Sequence, residues 1–160
     1  MRLSEKVKKV PLLASADITA GTDSDSINMK NFHSASFDIV FGPSYTEAGG
    51  TGGAVIKLYS GATVGAKTTA MTFNYRYTGG AIAATDADVL SAFTTSAALT
   101  CAAVTYTSRM LTIEVDAAEM TDGHSWLTIE VGSQAGAGEM VIIAHLIPRY
   151  SSAADITALT

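Results

Sequence analysis

RMLTIEVDAAEMTDGHSWLTIEV, residues 109–131, carries the five letters LTIEV twice, at 111–115 and again at 127–131. Successive side chains of an extended backbone point to opposite faces, so each copy puts Leu, Ile and Val on one face and Thr and Glu on the other. That is the pattern of a half-buried strand. Between the copies, DAAEM (116–120) reads as a short helical turn and TDG (121–123) as a tight turn. We read the echo as the ordinary look of two half-buried strands, not as a duplicated unit, with Glu114 and Glu130 marking the solvated face.

The same period of two extends outward to SASFDIVF (34–41), AVIKLY (54–59), AMTFNYRY (70–77), AAVTYT (102–107) and MVIIAHLI (140–147), with a weaker strand at 10–14. Glycine-rich turns separate these runs: GPSYTEAGGTGG (42–53), SGATVGA (60–66), TGG (78–80) and GSQAGAG (132–138). No long amphipathic stretch offers a parallel crossover, and ATDADVLSAF (84–93) supplies a helical turn at most. The expectation is an all-β chain, an antiparallel β-sandwich or jelly roll with an extended N-terminal arm. Residues 1–16 form the basic arm and 17–160 a single β-sandwich domain, a division that suits a chain of 160 residues.

Charge is sparse and unevenly placed. Only 16% of residues are charged, so much of the surface is neutral and is best explained if part of it is covered in use. Arg2, Lys6, Lys8 and Lys9 against Glu5 give residues 1–10 a charge of +3, leaving 6 basic and 14 acidic residues, −8, for the rest. An acidic body lacks the field of cations that phosphate neutralisation requires, which argues against a nucleic-acid partner. No window approaches the ~20 apolar residues of a membrane span, so no membrane partner is expected either. The apolar run VPLLA is too short for the hydrophobic region of a signal peptide, and a product of the cytoplasm is expected.

Catalytic and metal signatures are weak. His33, His124 and His145 lie far apart with no ligand at metal spacing, and Cys101 stands alone. Ser125 in GHSWL begins like a nucleophile elbow but has Leu127 where the second glycine belongs. Lys67 and Thr68 lack the preceding glycine pattern of a phosphate-binding loop. Glu114 and Glu130 would suggest glycoside hydrolysis only if they lay on adjacent strands within an apolar pocket. DSDS (23–26) and TDADV (85–89) read as solvated loops, not calcium loops. No enzymatic activity, cofactor or metal is expected.

Two segments bear on contacts with other proteins. In FNYRY (73–77), Phe73, Tyr75 and Tyr77 share a face, and three readings stay open for it: own core, subunit contact and ligand platform, in descending order. MVIIAHLI has little alternation, so it is expected to be covered on both faces, as a central strand or one that enters a subunit interface. His145 inside that run reads first as a neutral, hydrogen-bonded core residue. Tyr75, Tyr77 and His145 are the subunit-contact candidates.

Four segments together, LLASADITAGTDSDSINMKNFHSASFDIVFG, TTAMTFNYRY, RMLTIEVDAAEMTDGHSWLTIEV and HLIPRY, resemble the small decoration or cement proteins encoded among the head genes of tailed bacteriophages. The resemblance implies a non-enzymatic homotrimer made in the host bacterial cytoplasm. It would sit on the exterior of the capsid in the virion, bind the major capsid protein and bridge capsomers. The arm residues Arg2, Lys6, Lys8, Lys9, Val10, Pro11, Leu12 and Leu13 are then the candidate capsid contacts, with VPLLA adding a strand to a neighbour's edge. The alternative is a phage tail, baseplate or fibre-associated sandwich that binds a carbohydrate or a host-surface protein.

Overall fold

A computed structural model describes residues 6–47, 52–134, 136, 138–150 and 157–159. The described strands are β1 (Lys8–Asp17), β2 (Thr22–Asp23), β3 (Ile27–Asn28), β4 (Phe32–Phe41), β5 (Ala54–Gly61), β6 (Thr69–Met71), β7 (Phe73–Tyr77), β8 (Thr94–Ser96), β9 (Leu99–Cys101), β10 (Met110–Asp116), β11 (Trp126–Val131) and β12 (Glu139–Pro148). One four-residue helix, α1 (Ala103–Tyr106), follows β9, and a 3-10 turn (Ala117–Glu119) follows β10.

Two antiparallel sheets form, ordered β1-β12-β4-β10-β7-β8 and β2-β11-β5-β6, with β3 also on β11 and β9 on β5. Strands from opposite ends of the chain interleave: β1 with β12, β2 with β11, β4 with β10 and β5 with β6. This is a long hairpin rolled up on itself, the jelly roll, enlarged by β7 and β8 on one sheet and β9 on the other. The two LTIEV strands land in opposite sheets. Leu111, Ile113 and Val115 of β10 and Leu127, Ile129 and Val131 of β11 are all buried in one core, together with alternate residues of β4, β5 and β12.

The expected arm is corrected from residue 8 onward. Lys8–Asp17 is the edge strand of the first sheet, paired along β12 from Lys8 opposite Leu146 to Asp17 opposite Glu139. Val10 and Leu12 alternate with exposed Lys9 and Pro11, so the strand buries two aliphatic side chains in its own core instead of lending them to a neighbour. Proline is tolerated because β1 is an edge, where one side of the ladder is open. Register shifts flank Leu13, which packs against the core.

Three further expectations change. Residues 102–107 hold α1 where a strand was expected: the Ala103 N–H donates to the Glu47 carboxylate, and the Thr107 hydroxyl closes the turn on the Ala103 carbonyl at 2.8 Å. One turn of helix leaves Val104 89% exposed while setting the Tyr106 ring 5.4 Å from Phe41 and 5.3 Å from Tyr77. Residues 70–77 split into β6 and β7 on different sheets. Residues 84–93 are a chain of turns and not a helix, with Ala83 at φ 74° and Thr78 bridged to Leu90. The helical turn after β10 appears as expected, held by a capping box between Asp116 and Glu119.

Candidate contact face

The pairing registers place the outward side chains of the first sheet in rows that cross its strands. One row runs Lys9, His145, Ser36, Glu114, Asn74, from β1 to β7. The next runs Pro11, Ile143, Asp38, Thr112, Arg76, and the one beyond holds Val141, Val40 and Met110. On the other side of the first row lie Ile147 and Ser34. Val40, Met110, Val141 and Ile143 are half-buried by their neighbours alone, and Ile147 is 50% exposed. A sheet face with so much aliphatic surface is suited to being covered.

Asp38 sits at the centre of this face and is fully engaged. The Thr112 hydroxyl donates to its Oδ1 at 2.9 Å, and His145 Nε2 lies 2.9 Å from its Oδ2. His145 therefore faces outward, which corrects the core reading. Its neighbours Ala144 and Leu146 take the core positions. At the end of the face, a depression of about 450 Å³ is lined by Val7, Ser34, Asn74, Glu114, His145 and Ile147, among others. At the far edge the Arg76 guanidinium stacks 3.7 Å from the Phe93 ring centre.

The outer face of the second sheet has a different character. Lys67 bridges Glu130 at 2.7 Å and Asp23 at 3.0 Å, and Lys57 reaches Glu130 at 3.4 Å. The Lys67 hydrogen bond holds the Glu130 carboxyl below the usual carboxylate range, and the same bond raises Lys67. This face neutralises its own charge and suits contact with water. Because Glu114 and Glu130 lie on opposite outer faces of the sandwich, they cannot flank one substrate.

Tyr75 and Tyr77 point inward with Phe73 and pack against the core; the Phe73 and Tyr75 rings are 6.4 Å apart. They offer no external platform. Asp23 is taken by Lys67, and the Ser24 hydroxyl accepts the Ile129 N–H at 3.0 Å, so the 23–26 loop is stitched to β11. His124 Nδ1 meets the buried Ser60 hydroxyl at 2.9 Å, one residue from Ser125 in sequence. No group of three or more metal-ligating side chains occurs among the described residues. Of the arm candidates, Arg2 lies outside the described residues, Lys6 and Lys9 are exposed, Lys8, Pro11 and Leu13 belong to β1, and Val10 and Leu12 are core. Asp38, Ile143 and Val40 were missed as surface candidates, although the alternation of SASFDIVF and the odd positions of MVIIAHLI carried the signal.

Fold and surface together define a jelly-roll protein with one outer face whose ion pairs close on themselves and one that sets aliphatic side chains among Lys9, Asp38, Arg76, Glu114 and His145. The chain is similar to a solved structure, the SPBc2 prophage-derived protein YomS, at 15% identity and a TM-score of 0.48 over 87% of this chain and 92% of that one. No known family model matches the chain, and no curated protein matches its sequence.

Proposed function

We propose that this chain is a non-enzymatic structural protein of a tailed-phage virion, which lies on the exterior of the capsid, binds the major capsid protein and bridges neighbouring capsomers. The observation that carries the reading is a surface poor in charge, with 16% of residues charged, and half-buried Val40, Met110, Val141 and Ile143 on the outer face of the first sheet, so that part of it is suited to being covered by another protein. Such a surface gains free energy by leaving water, at about 25 cal/mol per Å² of apolar area. The resemblance of the quoted segments to phage decoration proteins supplies the setting, and the acidic body with a basic leader supplies complementarity to a shell. Lys6 and Lys9 remain as surface contacts, while Val10 and Leu12 serve the core.

The test is attachment. Purified chain added to capsids that lack it should co-sediment at high, regular copy number and raise the temperature at which they rupture. Failure to sediment with any head, together with recovery in tails, would refute the reading and favour the tail-associated alternative.

A further inference from the structure

We infer that the aliphatic face of the first sheet is the seat of a second copy of this chain, joined face to face about a two-fold axis that runs along the strands between β12 and β4. The row Lys9, His145, Ser36, Glu114, Asn74 holds a cation on β1 and an anion on β10, at equal distances from the line between β12 and β4. A two-fold reverses that row, so Lys9 of each copy lies over Glu114 of the other and the contact is self-complementary. His145 then faces Ser36, and Val141 faces Val40. A trimer formed head to tail would use two different patches and gains nothing from this symmetry.

The same two-fold lays Ile143 of each copy over Asp38 of the other, and Asp38 keeps its own partners there, the Thr112 hydroxyl and His145 Nε2, so both carboxylate oxygens stay hydrogen-bonded when the face closes. The second sheet is a poor competitor because Lys57, Lys67, Asp23 and Glu130 satisfy one another there. Size sets the strength. Five strands about 4.8 Å apart and about seven residues long cover on the order of 500 Å² per copy. That is below the ~800 Å² per partner of a standard interface, so the dimer should be weak, with Kd of about micromolar order, and sensitive to salt. The pairing rests on the capsid reading for its purpose alone: it covers the first-sheet face with a second copy and leaves the sheet margins and Lys6 for the shell, and association is read on the isolated chain and can fail while capsid attachment survives.

Sedimentation equilibrium from 1 to 200 μM, with native mass spectrometry, tests the pairing. The wild type should form dimers. Lys9→Glu and Glu114→Lys should each weaken them about tenfold or more, and the double exchange should restore them to within about threefold of wild type. Both side chains are exposed, so folding is unaffected. Val141→Lys, which meets Val40 and no like charge within its own copy, should abolish the dimer with an unchanged circular dichroism spectrum. A monomer throughout the range, a trimer, or a dimer indifferent to both charge reversals overturns the inference.

Discussion

Removing residues 1–7 and removing residues 1–13 should have very different consequences, although the two deletions differ by six residues. The shorter deletion stops before β1. The longer one strips Lys8 to Leu13 from the edge of the first sheet and takes away Val10 and Leu12, each only 4% exposed. Burying a Val or Leu side chain is worth about 1.5–3 kcal/mol, so the two together account for about 3–6 kcal/mol. A domain of this kind has about 5–15 kcal/mol in total. The longer deletion also exposes the apolar edge of β12, an invitation to aggregate. Urea unfolding followed by Trp126 fluorescence should show the 1–7 deletion within about 1 kcal/mol of the full chain. The 1–13 deletion should lose several kcal/mol or fail to fold. If the 1–13 deletion unfolds at the same urea concentration as the full chain, β1 is not part of the sheet and the free-arm reading of the sequence stands.

Tyr45→Phe should destabilise by about 2–4 kcal/mol without opening a cavity, because the buried Tyr45 hydroxyl donates to the Cys101 carbonyl and accepts the Ala54 N–H at 2.9 Å, and both would lose their partner. Urea unfolding at pH 7 checks this, and a loss under about 0.5 kcal/mol would contradict it. Burial also pushes the Tyr45 hydroxyl up to about 12. The unfolded chain loses that proton near pH ~10 and the folded chain near 12, so the stabilisation is complete below ~10 and is lost as pH rises through 12. In thermal melts the variant should show a shallower fall across that window. On the second sheet, Glu130→Gln should cost about 0.5–1 kcal/mol at pH 7, the range for partly exposed pairs. Its carboxyl lies below the ordinary value, so this contribution is present above about pH 4.3 and is lost as pH falls through the folded value. Wild type and variant should therefore converge in melts near pH 2.5, and a gap that persists there would refute the ion-pair account.

Local alternation made most of the fold legible. Leu111, Ile113 and Val115 face the core as their period of two dictates, and so do Phe37, Ile39 and Phe41. AAVTYT misled because six residues of small and β-branched character fit a strand as well as one turn of helix. What decided it was Glu47 and Thr107 satisfying that turn, partners the local pattern cannot show. The outward side of His145 was within reach, since Met140, Ile142, Ala144 and Leu146 form the more apolar parity of MVIIAHLI. Its pairing with Asp38 was not, because residues 107 positions apart meet only through the β4–β12 register, and register across a rolled hairpin is a property of the whole topology. The edge strand β1 was undervalued for the same reason: a lysine pair and a proline look like a free arm until β12 is known to lie beside them.

The rolled hairpin also explains why leader and contact face belong together. In this topology the first and last strands are neighbours by construction, so β1 and β12 share one sheet and Lys6 and Val7 lead into its margin. The interior strands β2, β5, β6 and β11 make the other sheet, whose charges close on themselves. A single copy therefore offers one sheet margin, with Lys6 and Lys9 exposed, beside one open sheet face. A protein that ties two capsomers together needs two points of attachment held at a fixed distance, which one copy lacks. Face-to-face pairing about an axis between β12 and β4 puts the two β1 strands on opposite margins of the joined sheets, about three strand spacings or ~14 Å apart across the face. On the proposed pairing, the symmetry that matches Lys9 with Glu114 would turn a one-handed subunit into a two-handed clamp, and a weak contact would suit it, because such clamps would close only where a shell had already concentrated the chain.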